Sequence, residues 1–283
     1  MTRSIRNAGY FRSGMPYNRL GHGPRPLVVF QGLMFENKPQ PAAMHNMYKP
    51  LENDYTVYVV LRRPGLPAST TLKDMADDYA AMVQEEYGGP VDVIGVSTGG
   101  SIVQHFAADH PGLVRHLVIH SSAYTLSDRA KHMQLRIGHL AQQGRWTEAY
   151  AVLIGAMLPQ SSMMKAISPV VVFLISRLMA LSAPKDATDL VVTVEAEDRF
   201  NFKDRLAEIK APTLVVAGAQ DPFYSVDLFR ETAAGIPNAR LILYEGMGHP
   251  ASGKQFGRDL LDFLADRMPQ DAYRVRSTQG MML

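Results

Sequence analysis

Val91-Asp-Val-Ile-Gly95-Val-Ser97-Thr-Gly99-Gly-Ser-Ile-Val103 is the stretch whose reading decides the fold. A mostly apolar run ends at Val96, and a helical pattern opens at Gly99 and continues to His110, where Pro111-Gly112 stops it. Apolar runs of this kind suit a strand buried on both faces of a sheet. Ser97 stands at the junction inside a G-x-S-x-G sequence. A tight strand-to-helix turn forces its central residue into a strained backbone conformation, and side chains two residues to either side would collide. Ser97 would then project from the turn at the carboxyl end of the sheet. A Gly-rich turn carrying a plain surface serine is the alternative, and the junction placement favours a nucleophile.

The same strand-then-helix pattern repeats outward from this point. Arg25–Gly32, Tyr55–Arg62, Val114–His120, Pro212–Gly218 and Ala239–Tyr244 read as further buried strands. Thr71–Tyr87 carries an apolar stripe at Leu72, Met75, Ala76, Tyr79, Met82 and Val83. Thr71 with Asp74 resembles a capping box, and Gly88-Gly89-Pro90 ends the helix. Alternation of this kind predicts an α/β fold with a doubly wound, mostly parallel sheet. It breaks down after Ser121 and resumes at Pro212. Ala130–Gln143, Trp146–Leu158 and Ser168–Leu181 read as helices in between. The expected organisation is a core of residues 1–122 and 203–267, a helical lid over 123–202 and a loose polar tail over 268–283. Tyr10–Gly23 suits a short hairpin at the sheet edge.

Composition narrows the function classes. The chain has 283 residues, 46% hydrophobic and 20% charged, which is globular rather than disordered. The net charge of +2 is too small for the basic footprint of a nucleic-acid binder. With no cysteine, disulfides, thiolate metal sites and a cysteine nucleophile are excluded. Met1–Pro24 lacks the apolar core of a secretory signal, and the unbroken apolar core of Ala166–Leu181 is too short to span a membrane. The expectation is a cytoplasmic protein, monomer or homodimer, acting on a small molecule.

A nucleophilic serine needs a base, and the base needs an orienting acid. His249 lies in Glu245-Gly-Met-Gly-His249, just past the last predicted strand, and is the candidate base. Asp221 follows Gly218-Ala-Gln at the end of the preceding strand and is the candidate acid. An Asp opening a turn before Pro222 is the bland alternative, and Asp227 is the rival acid. The order Ser97, Asp221, His249 is that of the α/β-hydrolase triad.

On Gly95–Gly99, Gly218–Asp221 and Gly246–His249, the chain resembles the α/β-hydrolase superfamily from Arg25 to about Arg267, in its lidded branch of esterases, lactonases, perhydrolases and carbon–carbon hydrolases. The resemblance implies a lid inserted after the sixth strand of the family sheet. It also implies an oxyanion hole built from the backbone N–H groups of Thr98 and Leu33. Two departures stand out: Gln31-Gly32 where relatives usually have His-Gly, and Arg62-Arg-Pro-Gly65 where they often have Asp-x-Arg-Gly. Serine rather than aspartate at the elbow excludes the dehalogenase and most epoxide-hydrolase chemistries of the fold. The implied activity is that of a carboxylesterase-like serine hydrolase on an ester, lactone or thioester of a fairly apolar molecule. Perhydrolysis and carbon–carbon hydrolysis are alternatives with the same triad. A non-catalytic ligand-binding receptor is the alternative of another class.

Gln31, His120, Met157 and Phe173 are candidate pocket residues. Leu158, Met163, Met164, Leu174 and Met179 join them as pocket or lid-core candidates, with plain helix packing as the alternative; His120 equally suits a satisfied structural role. His116 and His120, four apart on a strand, are about 13 Å apart and cannot share a metal. Glu195, Glu197 and Asp198 read as a solvated charge cluster. No nucleotide-binding motif is present, and neither a cofactor nor a metal is expected.

Overall fold

The computed structural model describes residues 7–157, 162–269 and 273–276. Nine strands form one sheet in the order β1-β2-β4-β3-β5-β6-β7-β8-β9. The six strands read from the sequence are its parallel heart: β3 (Arg25–Phe30), β4 (Tyr55–Val60), β5 (Val91–Val96), β6 (Val114–His120), β7 (Thr213–Gly218) and β8 (Ala239–Tyr244). β1 (Ala8–Tyr10) and β2 (Pro16–Leu20) form the expected edge hairpin, and β2 runs antiparallel to β4. Tyr273–Arg276, expected within a loose tail, instead forms β9, parallel to β8. Its Arg276 is anchored by the buried Asp259 carboxylate, which also accepts from Tyr244 Oη at 2.7 Å.

Side chains alternate across the sheet. Val28 and Phe30 of β3 pack with α1 (Leu72–Tyr87), α2 (Thr98–Asp109) and α7 (Val226–Gly235). Leu27 and Val29 face the other way, onto α8 (Lys254–Leu264) and a 3-10 helix over Ala42–Leu51. Burial on both faces explains why these strands read as continuous apolar runs. α1 begins on the predicted box, with Thr71 Oγ1 accepting from Asp74 N–H at 3.1 Å and Asp74 Oδ2 accepting from Thr71 N–H at 2.8 Å.

Between β6 and β7 the described residues form four α-helices, α3 (Asp128–Gln142), α4 (Trp146–Met157), α5 (Ser162–Ala180) and α6 (Thr188–Asp198), followed by a 3-10 helix over Lys203–Glu208. α3, α4 and α6 share an apolar cluster with Phe35, including Ile137, Leu140, Tyr150, Leu190 and Val194. Among the described residues no helix is long and apolar enough to cross a membrane.

A polar cluster ties β5 and β6 together near their starts. His116 Nδ1 lies 2.8 Å from Asp92 Oδ1, and Nε2 lies 3.1 Å from Asp266 Oδ1. The hydrogen bond to Asp92 is the main cause that raises the His116 pKa above the ordinary imidazole value of 6.5, with Asp266 adding to it against burial. A raised folded pKa stabilises the fold fully below the unfolded value and ceases to do so as pH rises through the folded one. Urea denaturation should therefore show a wider stability gap between wild type and His116→Gln at about pH 5.5 than at about pH 8.5.

Candidate active site

Ser97 joins β5 to α2 with φ 53° and ψ −124°, backbone angles that L-residues rarely adopt. Its N–H donates to the carbonyl of His120 on β6 at 3.0 Å, and its carbonyl accepts from Gly100 N–H at 2.7 Å. Gly99 has to be glycine, because a Cβ there would lie 1.9 Å from the Phe30 carbonyl oxygen. The turn is thus pressed against the end of β3. The loop that follows β3 closes over it: a Cβ on Gly32 would sit 3.2 Å from Ser97 Cβ.

Asp221 and His249 are brought together. His249 Nδ1 lies 2.7 Å from Asp221 Oδ2, and both side chains are withdrawn from solvent. Asp221 Oδ1 accepts from the N–H groups of Phe223 and Tyr224 at 2.9 and 3.2 Å, so the carboxylate is held on both oxygens. An imidazole that donates from Nδ1 keeps Nε2 as a free base, which is the tautomer a general base requires. The two loops meet at Gly218, where a Cβ would lie 2.2 Å from the Met247 carbonyl oxygen. Asp227, the rival acid, is 78% exposed and pairs with Arg230 on the surface.

His120 is fully buried and does not border a pocket. Its Nε2 donates to the carbonyl of Ala251 at 2.7 Å, and Nδ1 faces Tyr48 Oη at 3.3 Å. Burial drives its pKa down to about 3, so the ring is neutral. Ser121 next to it has φ 47° and accepts the N–H of Ala251 on its hydroxyl at 3.0 Å. The end of β6 therefore grips both backbone groups of Ala251, two residues beyond His249. Residue order alone carries no sign of this grip.

Two buried charges flank the site. Arg62 is almost wholly buried, and its Nη1 donates to the carbonyls of Gln31 and Gly32, each at 3.1 Å. Glu197 is fully buried, which overturns the solvated cluster expected of it. Thr98 Oγ1 donates to Glu197 Oε2 at 2.7 Å and Ser101 Oγ to Oε1 at 2.9 Å. The signal was there in the spacing: Leu190, Val194 and Glu197 share the inward stripe of α6.

The expected pocket residues fare unevenly. Gln31 is partly buried with its amide 3.7 Å from Met34 Sδ. Leu33 is partly buried against the helical cluster, and Thr98 is fully buried. Met157, Phe173 and Leu174 are 44%, 53% and 59% exposed and do not pack in a helical core, while Met179, 43% exposed, lines the cavity beside the β3 loop. Leu158 and the side chains of Met163 and Met164 lie outside the described residues. A largely apolar cavity of about 530 Å³ instead opens beside the β3 loop, between Met34, Phe35, Met44, Tyr150, Leu178 and Met179. Among the described residues, no cluster of His, Asp or Glu is disposed to hold a metal ion.

Residues 13–255 match the model of the alpha/beta hydrolase family. The chain belongs to that family. A 2-hydroxy-6-oxononadienedioate/2-hydroxy-6-oxononatrienedioate hydrolase of Cupriavidus pinatubonensis is 37% identical over 97 residues, covering 32% of this chain and 34% of that protein, so the match spans about a third of this relative. A putative carbamate hydrolase, RutD, of Klebsiella pneumoniae is 25% identical over 81% of this chain and 86% of its own. The structure of a hydrolase from Pseudomonas aeruginosa superposes with a TM-score of 0.74 at 21% identity, covering 93% of this chain and 99% of that one.

If Asp221 orients the imidazole, Asp221→Asn should lower kcat for hydrolysis about 10⁴-fold by favouring the wrong tautomer. Asp227→Asn should change it little, since that carboxylate faces solvent. Steady-state kinetics of the two folded variants decides between the acids.

Proposed function

We propose that the protein is a serine hydrolase that cleaves a carboxylic ester, lactone or thioester of a small, fairly apolar molecule through an acyl-enzyme on Ser97. The observation that carries this reading is the convergence of the strained Ser97 turn, the Gly32 loop and the Asp221–His249 pair at the carboxyl ends of β3, β5, β7 and β8. In this reading Ser97 Oγ attacks the substrate carbonyl carbon and its proton passes to His249 Nε2. The oxygen that gains charge is met by the N–H groups of Leu33 and Thr98. Collapse breaks the bond to the alkoxide or thiolate, which takes the proton from His249. Water then gives a proton to His249 as its oxygen attacks the acyl carbon, and collapse breaks the bond to Ser97 Oγ, which takes that proton back from His249 as the acid leaves. Asp221 holds the imidazole and stabilises its cationic form. Residues 123–202 act as the cap on this core, and the cavity beside Met34 takes the apolar part of the substrate.

A second reading is carbon–carbon bond hydrolysis on the same triad. It is favoured by the Cupriavidus relative, because the 2-hydroxy-6-oxo acid in its name contains no ester to cleave.

Incubation with a fluorophosphonate probe should label Ser97, located by peptide mass spectrometry. Ser97→Ala should fold, escape labelling and lose on the order of 10⁶ in kcat on nitrophenyl esters. Turnover by a clean Ser97→Ala preparation would refute the nucleophile. A protein that labels at Ser97 and cleaves a vinylogous 1,5-diketone, yet turns over no ester, belongs to the second reading.

The cavity makes a separate prediction. Met34→Trp should fill it and shift kcat/KM toward shorter acyl chains, each methylene being worth about 1–3 kcal/mol of discrimination. An equal loss for every chain length in an acyl series would remove the cavity from the substrate path.

A further inference from the structure

Arg62 and Glu197 are two buried charges beside the site that the proposed triad leaves unused. Each is placed behind one of the two backbone donors of the proposed oxyanion hole. Arg62 donates to the Gly32 carbonyl, and that carbonyl belongs to the same peptide unit as the Leu33 N–H. A trans peptide is planar, with its C=O and N–H pointing in opposite directions. Fixing the Gly32 carbonyl onto the guanidinium therefore fixes the direction of the Leu33 N–H away from it. The bond from the same Nη1 to the Gln31 carbonyl locks the preceding peptide as well. Gly32 itself lies against Ser97, so the loop is held where the donor is needed.

Glu197 acts on the other donor. It comes from α6, in the helical segment between β6 and β7, and reaches the first residues of α2. Its two oxygens take the hydroxyls of Thr98 and Ser101, one helical turn apart, so that turn is pinned directly after Ser97. The Ser97 carbonyl is bonded to Gly100 N–H, which fixes the peptide unit whose other end is the Thr98 N–H.

The charges also answer one another. Burial lowers the Arg62 pKa and the attraction of Glu197 works against that; burial raises the Glu197 pKa while its hydrogen bonds to Thr98, Ser101 and Gln134, together with Arg62, work against it. Arg62 Nε and Nη2 have no hydrogen-bond partner among the described residues, so beyond Nη1 its charge is met through space, by Glu197 and Asp189. A charge left buried without its opposite is strongly unfavourable, and Glu197 and Asp189 together offset that of Arg62.

We propose that Arg62 and Glu197 are a pair of positioning residues that orient the Leu33 and Thr98 N–H groups for the transition state. This inference rests on the reading of Ser97 as nucleophile. It gives Arg62, a departure from the family pattern, a role in aligning the hole and not in touching substrate. It also makes α6 a direct support of the nucleophile turn.

The test compares Arg62→Lys, Arg62→Met, Glu197→Gln and Thr98→Val with wild type on 4-nitrophenyl butyrate. Affinity is measured in parallel for a trifluoromethyl ketone of matching chain length, whose tetrahedral adduct uses the oxyanion hole. Removing an oxyanion donor outright costs about 10²–10³ in kcat, so misaligning one should cost roughly 10–100-fold. Lys keeps the charge but is shorter and lacks the guanidinium plane that aims Nη1 at both carbonyls, and Val keeps the Thr98 backbone donor but loses the hydroxyl. In all four variants kcat and ketone affinity should fall together, with KM within about twofold of wild type. Thermal melts identify folded variants. Should Arg62→Met fail to fold, the near-isosteric Glu197→Gln and Thr98→Val decide the matter. Folded variants with wild-type kcat and ketone affinity, or with only KM raised, overturn the proposal while leaving the Ser97 reading intact. A wild type that neither labels at Ser97 nor turns over ester overturns both.

Discussion

The turn at Ser97 is the constraint on which the other parts of the site depend. A non-glycine residue held at φ 53° costs about 1–3 kcal/mol, so the surroundings must over-determine it. They do so from four sides. β6 accepts the Ser97 N–H through His120, α2 returns the Gly100 N–H to the Ser97 carbonyl, Phe30 at the end of β3 leaves no room for a side chain at Gly99, and Glu197 holds the first turn of α2. The apolar sheet beneath supplies the rigidity. Val93, Ile94 and Val96 are packed between helices on both faces, so the strand end has nowhere to relax. An interior this dense transmits displacement and does not absorb it.

The same strand ends carry the proposed base and acid. Asp221 follows β7 and His249 follows β8, and their loops touch at Gly218. His120 links this half to the other: its carbonyl holds Ser97 while its ring and the Ser121 hydroxyl hold Ala251. One dipeptide at the end of β6 therefore sets the distance between the turn that carries the serine and the loop that carries the histidine. Burial keeps the His120 ring neutral, which suits a group that donates to a carbonyl beside the imidazole proposed to become cationic.

What could be read from the sequence follows from where the physics is local. Parallel strands buried on both faces leave continuous apolar runs, so all six central strands and the serine junction between β5 and α2 were legible. The edge hairpin was legible from its turn. β9 was not, because its four residues, Tyr-Arg-Val-Arg, owe their conformation to pairing with β8 and to Asp259 beneath Arg276. α6 escaped as a separate helix because Leu-Val-Val-Thr-Val is a strand-like composition that tertiary packing overrides. Glu197 was misread for a related reason. An acidic run looks solvated until the helix period places one member on the inward stripe. Apolar character on a helix says nothing about which way it faces, and Met157 and Phe173 stand about half exposed. Several of the apolar side chains of α5, Phe173, Leu174 and Leu178 among them, point outward.

The two departures from the family pattern, Gln31 and Arg62, are consistent with each other. A guanidinium only donates, so an arginine beneath the β3 loop needs acceptor oxygens turned toward it. Gln31 and Gly32 supply them, which fixes the two peptide units that carry the Gly32 and Leu33 N–H groups. A carboxylate in the same place would accept and would compete for those N–H groups. Position 31 then has to be a residue whose own side chain does not claim the guanidinium's acceptors or add a second buried cation. A neutral Gln meets that demand: its amide turns away to the Met34 sulfur, and only its backbone serves the arginine. The orientation of the two loop peptides is thus set by the donor character of one buried side chain, with opposite charge arriving from α6.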